Sequence, residues 1–287
     1  MSLHNVAAFG GASVKRIHRP VNEEGKVVSV GAYLVPLMEK ACQDRGVEFI
    51  LNTTADTILT DANGQAVGVS GTDKDGNTVT VNAKAVVLAT GGFGANLDMV
   101  ASYKPELKGF MTTNAPGIQG QGIAMATAIG AATVDMDQIQ IHPTVEANTA
   151  ALITEGLRGD GAILVNANGE RFTDEVSTRD KVSAAEIAQP GSFSWLIVDQ
   201  AMADASNVIQ GYITKGYTKQ GATYEELAKE SEGDPATFAA TMEKWNGCVE
   251  AKTDADFGRT SFANPLNTAP YYAIKVSAGV HHTMGGV

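Results

Sequence analysis

Ala85-Val-Val-Leu-Ala89 is an almost unbroken apolar run that opens directly into Thr90-Gly91-Gly92-Phe93-Gly94. Without polar alternation, such a run predicts a strand covered on both faces. A buried strand ending in a glycine turn suits the carboxyl edge of a doubly wound sheet, where backbone comes close to a ligand. A tight strand-to-loop turn explains the same residues equally well. The neighbouring sequence agrees with an α/β layer. Over residues 30–45 apolar positions recur at helical spacing (Leu34, Met38, Ala41, Cys42), Pro36 is tolerable near the first turn, and Gly46 reads as a stop. Residues 47–51 read as a short buried strand and 57–59 as extended. Turns at 61–64 and 74–77 lead into strands at 66–70 and 78–81. Residues 117–132 are a glycine-rich turn feeding a helix of small residues. Its glycine spacing is not the dinucleotide fingerprint, so close packing on a sheet outranks phosphate binding.

Beyond about Asp135 the character changes. Residues 136–141 alternate loosely up to His142-Pro143, and 162–166 and 171–172 flank Ala167-Asn-Gly169 as a hairpin. A short helix at 181–189 is followed by a strand at 194–199 and a further helix. Asp234-Pro235 is a cap and first-turn pair opening a helix with Phe238, Met242, Trp245 and Val249 on one face. A last strand, 271–276, leads to 277–287. The expected fold is therefore an α/β domain with an α+β domain inserted. The ending at Gly285-Gly286-Val287 has no closing element and reads as a truncation, and Met1-Ser-Leu reads as a vector-derived leader.

Of 287 residues, 44% are hydrophobic and 18% charged, a composition typical of a soluble α/β protein with an ample core. The longest apolar runs are too short to span a bilayer. A net charge of −11 argues against a nucleic-acid partner, while leaving room for a local positive pocket. Cys42 and Cys248 form no Cys-x-x-Cys and read as inert thiols.

Chemistry concentrates between His142 and Arg179. There one imidazole, Glu155, Arg158 and Arg179 sit among short polar segments with Thr154. Arginine forks are natural clamps for a planar carboxylate. Taken singly, Glu155 with Arg158 reads as an ordinary helical ion pair, and Asp174-Glu175 and Arg179-Asp180 as solvated charges. A lone histidine before proline is more often structural, and His18 within Arg16-Ile-His-Arg-Pro20 reads as loop. His281 and His282 are adjacent in an extended segment, so their side chains are expected to point apart, and no further ligands at zinc spacing accompany them. There is no Gly-x-Ser-x-Gly elbow and no cysteine nucleophile constellation. What favours function is the density of these charges on short loops.

Taken together, Gly10-Gly-Ala-Ser-Val-Lys-Arg-Ile-His-Arg-Pro20, Ala89-Thr-Gly-Gly-Phe93, His142-Pro-Thr144, Thr154-Glu-Gly-Leu-Arg-Gly159, Ser177-Thr-Arg-Asp180 and Gly279-Val-His-His-Thr-Met-Gly-Gly286 resemble the soluble fumarate reductase and flavocytochrome c flavoprotein family, which includes urocanate reductases. The resemblance covers essentially the whole chain. It implies a partial FAD-binding Rossmann-like domain over 1–135, a capping substrate domain over 136–276, and a return to the first domain over 277–287. It further implies non-covalent FAD and reduction of an α,β-unsaturated carboxylate, with hydride from flavin N5 to one alkene carbon and a proton from Arg179 to the other. Free arginine is a very poor acid, and the family's answer is a relay in which Glu155 and Arg158 resupply Arg179. By the same resemblance His142, Thr154 and His281 hold the substrate carboxylates, while Gly10, Gly11, Ala89, Thr90, Gly91, Gly92 and His282 lie against FAD. Backbone of Thr283, Met284 and Gly285 resembles a structural sodium site.

This sequence departs from the family pattern in lacking the amino-terminal Gly-x-Gly-x-x-Gly strand, the carboxy-terminal segment with a second carboxylate-binding arginine, and a heme-attachment Cys-x-x-Cys-His. The expectation is a segment that binds FAD weakly or not at all and does not turn over alone. For the whole protein the expected substrate is a small dicarboxylate, with fumarate ahead of urocanate because the urocanate reductases carry tyrosine where His142 stands. A non-catalytic binding domain is the reading for the segment alone. A flavin dehydrogenase of a neutral ring ketone would not need Arg158 and Arg179. The electron donor is undetermined, and the compartment is either side of a bacterial inner membrane.

Overall fold

A computed structural model describes residues 2–7, 14 and 17–287 of the chain. In chain order the elements are β1 (Ser2–Ala7), β2 (Ile17–Val21), α1 (Val30–Gln43), β3 (Thr53–Thr60), β4 (Ala66–Asp73), β5 (Thr78–Asn82), α2 (Leu97–Tyr103), β6 (Met111–Thr112) and α3 (Gln121–Ala128). They continue with β7 (Ile139–Glu146), α4 (Gly156–Gly159), β8 (Ile163–Val165), α5 (Arg179–Ile187), β9 (Ser194–Asp199), α6 (Gln200–Ala205) and α7 (Asn207–Thr214). The last are β10 (Thr218–Gly221), α8 (Tyr224–Glu230), α9 (Pro235–Ala251) and β11 (Tyr271–Thr283). This is a mixed α/β chain in two compact units, Met1–Val27 with Ile141–Gly279, and Val28–Gln140 with Val280–Val287. The described residues before Val28 thus group with Ile141–Gly279, whereas the sequence reading places them in one domain with residues up to 135. One contact that ties them there is Arg19 Nη2 donating to Thr154 Oγ1 at 3.3 Å. His18, expected in a loop, lies in β2.

The larger unit is built on an antiparallel sheet ordered β10-β11-β9-β8. In β9 all six residues are buried, and its two faces meet two cores. On one face Leu196 and Val198 pack with Ile153, Val182, Ile209 and Ile274. On the other, Ile197 and Ala273 pack with the stripe of α9, namely Phe238, Met242, Trp245 and Val249. That helix starts as its sequence predicts, with Asp234 accepting from Thr237 N–H and Pro235 in the first turn, where its missing N–H costs nothing. The hairpin after β8 also forms as expected. Asn166 Oδ1 takes the Asn168 and Glu170 N–H groups, and Gly169 turns at φ +85°.

In the smaller unit β3, β4 and β5 make an antiparallel meander. Its two turns share one device. Asp61 accepts from Gln65 and Asn63 N–H, and Asp73 from the Asn77 side-chain amide and from the Asn77 and Asp75 N–H groups, which holds both carboxyls below their ordinary pKa. Two expectations fail here. Residues 47–51 and 85–89 carry no strand ladder, and Leu51 and Val87 are exposed. Apolar composition predicts burial, but a strand forms only where a neighbour accepts its hydrogen bonds, and among the described residues none pairs with either run. Likewise α1 is capped by Ser29, yet it buries no residue, and Pro36 falls inside the helix rather than in its first turn.

Candidate active site

α4 is a single turn, Gly156–Gly159, with Thr154 and Glu155 leading into it. Glu155 is buried and accepts from two arginines. Arg158 Nη2 reaches Oε1 at 3.2 Å, while Arg179 grips both oxygens, Nε to Oε1 at 3.3 Å and Nη2 to Oε2 at 3.0 Å. Arg179 opens α5, and its side chain is 28% exposed against 1% for Arg158. The three groups therefore form one hydrogen-bonded line with a wet end and a dry end. Burial pushes the Arg158 guanidinium below its ordinary value, opposed by the charge of Glu155.

Arg158 is fixed at both ends. Its Nη1 donates to the Glu175 carbonyl at 2.6 Å, and its own carbonyl accepts from Arg259 Nη2 at 2.8 Å. Arg259 also donates from Nη1 to Glu175 Oε2 at 2.9 Å, and Arg171 holds the same carboxylate through Nε and Nη2 at 2.8 and 2.9 Å. The Arg171 and Arg259 guanidinium groups both lie over the Trp245 ring, 4.5 and 4.6 Å from its centroid. Glu175 is thus a fully buried network hub and not the solvated charge expected from sequence.

His142, on β7, is buried, and its Nδ1 accepts the Thr144 N–H at 3.2 Å. That bond requires the Nδ1 lone pair, so the assigned tautomer carries its proton on Nε2. Thr154 N–H donates to the Tyr212 hydroxyl at 3.0 Å. Four residues that the sequence reading did not single out therefore support this half: Thr144, Tyr212, Arg19 and Arg259. Of these, Arg19 and Thr144 lie inside the quoted motifs, which was the available signal.

In the smaller unit His281 Nδ1 lies 2.9 Å from Thr113 Oγ1, and Asn114 Nδ2 donates to the His281 carbonyl at 2.9 Å. The rings of His281 and His282 are 5.5 Å apart, closer than opposite-facing neighbours would place them. Among the described residues no group of three or more His, Cys, Asp or Glu side chains is disposed to hold a metal ion. In the glycine loop, Ala89, Thr90 and Gly91 are exposed, Gly91 has φ +74°, and only the Ile118 side chain lies within 4 Å of where its Cβ would stand. That open backbone fits a cofactor laid against it. Gly92 is small for another reason, because a Cβ there would run into Thr283 Oγ1, which accepts from Phe93 N–H. Met284 N–H donates to the Gln138 carbonyl, and Gly286 bridges with Val134. Gly10 and Gly11 lie outside the described residues.

A model of the FAD binding domain family matches residues 2–287. The chain belongs to that family. It is 43% identical over 286 residues to an NADH:fumarate oxidoreductase of Klebsiella pneumoniae strain 342, covering 99% of this chain and 30% of that protein. It is 34% identical over 290 residues to a urocanate reductase of Eggerthella lenta, covering 97% of this chain and 47% of that protein. Among solved structures, the open conformation of a flavocytochrome c3 fumarate reductase matches with a TM-score of 0.79 at 39% identity, covering 99% of this chain and 50% of that one. The chain therefore spans half or less of the length of these proteins. No helix among the described residues is long and apolar enough to cross a membrane.

Proposed function

We propose that this FAD-family chain carries the proton-donating and carboxylate-holding residues of a reductase that adds hydrogen across an α,β-unsaturated dicarboxylate, fumarate giving succinate. The observation that carries the reading is the line Arg179–Glu155–Arg158, with Arg179 as its solvent-accessible end. When bound, FAD supplies hydride to one alkene carbon, and the exposed backbone at 89–91 is where this chain would meet it. Arg179 gives a proton to the other carbon, and Glu155 passes it a replacement from Arg158. Burial of Arg158 eases that transfer, because it disfavours the charged form. Within the larger unit, His142 Nε2–H and the Thr154 hydroxyl are the donors for substrate carboxylate, holding charge and orientation as the carbanion develops.

The test is oxidation of reduced viologen by fumarate and by urocanate in the FAD-loaded protein. Arg179→Ala and Arg179→Lys are expected to lower fumarate turnover by at least ~100-fold, the lower range for a general acid, with FAD absorbance retained. Turnover near that of the unmodified protein overturns the assignment. Urocanate turning over faster than fumarate would exchange the substrate. FAD absorbance that persists through gel filtration of the 287 residues shows that they hold the cofactor by themselves.

A further inference from the structure

Behind the relay lies a set of buried polar groups that the reductase reading does not use. α5 carries Arg179 at its first position and presents Ser183 and Glu186 at helical spacing from it. Glu186 and Ser183 are fully buried. Ser194, on β9, donates its hydroxyl to Glu186 Oε1 at 2.5 Å. Glu186 Oε2, Ser183 Oγ and Arg158 Nε have no hydrogen-bond partner among the described residues. Arg158 is the charged group acting on Glu186. Arg158 in turn feels Glu155, Glu186, Arg179 and Glu175.

Three orphaned polar atoms in one unit's interior each carry a desolvation cost, and buried water is the usual way such groups are satisfied. One N–H donor, one hydroxyl and one carboxyl oxygen are what a single internal water needs. We propose that Glu186 stays in its acid form and shares an internal water with Ser183 and the Nε–H of Arg158, so that Arg158 is solvated on its buried side without a second carboxylate competing with Glu155. Glu186 is then a positioning residue that acts through Arg158. Its burial supports this, holding the carboxyl well above the ordinary glutamate value of 4.5 against the opposing pull of the Ser194 hydrogen bond and the Arg158 charge.

The consequence for catalysis rests on the relay reading, but the inference itself is read out without FAD and without turnover, so the two fail separately. Carbon-13 NMR of glutamate carboxyls is expected to show one resonance titrating well above 4.5 that disappears in Glu186→Gln. The same group sets a sign for stability. An acid whose folded pKa is raised stabilises the fold below its unfolded pKa and loses that contribution as pH rises through the folded value. Glu186→Gln, which keeps the neutral form, should therefore gain in Tm relative to the parent as pH rises from about 4.5 toward neutrality. A parent that gains on the variant over that range means an ionised Glu186–Arg158 pair and overturns the proposal. If Glu186→Gln does not fold, Ser194→Ala serves instead, because removing that hydroxyl should move the high midpoint higher still. An unmoved midpoint counts against the assignment. A crystal structure should place one water within hydrogen-bond distance of Arg158 Nε, Ser183 Oγ and Glu186 Oε2. Direct Glu186–Arg158 contact there also defeats it.

Discussion

Val198 is fully buried, whereas Val87, in an equally apolar run, is 87% exposed. Both runs have the composition of a two-faced strand. β9 is paired with β8 on one side and β11 on the other, and its two faces meet the two cores of the larger unit. Residues 85–89 have no ladder among the described residues, and α1 in the same unit buries nothing. The contrast separates two properties that sequence patterns merge. Apolar composition marks a segment as suited to burial, but burial is achieved only by the neighbours that cover it.

The polar interior sharpens the same contrast. Arg259 is fully buried and spends its guanidinium on Glu175 and on the carbonyls of Arg158, Ala162 and Ser261. Arg259→Met is expected to leave Glu175 short of a partner and cost about 3–5 kcal/mol, the range for breaking a buried pair from one side, as measured by urea unfolding. A loss under about 1 kcal/mol would mean that Arg171 alone satisfies Glu175. Next in size, Ile197→Ala in β9 should cost about 2–5 kcal/mol through lost packing and a residual cavity. Smallest is Val87→Ser, expected within about 0.5 kcal/mol of the parent, as for surface positions. If Val87→Ser instead costs as much as Ile197→Ala, residues 85–89 are covered in solution and the contrast between the two runs disappears.

Much of the larger unit could be read from the chain. The Asp234-Pro235 pair and the spacing of Phe238, Met242, Trp245 and Val249 specify both the start and the buried face of α9, because cap chemistry and helical period are local. Glu155, Arg158 and Arg179 were named from motifs, and they form one bonded line. What stayed hidden is non-local. Arg259 meets Glu175 across 84 positions and Arg158 across 101, and no local pattern marks such a pairing. Glu186 looks like any helix-surface glutamate until β9 covers it with Ser194. Residues 47–51 and 85–89 misled in the opposite direction, because apolar composition signals burial without naming a partner strand.

Both tryptophans of the chain, Trp195 and Trp245, belong to the larger unit, where each is buried. Indole emission during unfolding is therefore a report on that unit alone, with Trp245 sensing the moment its two guanidinium neighbours leave. The smaller unit is silent at that wavelength and visible only through its tyrosines and its backbone dichroism. Indole emission thus isolates the larger unit without any added label, whereas tyrosine emission and backbone dichroism report on both units together.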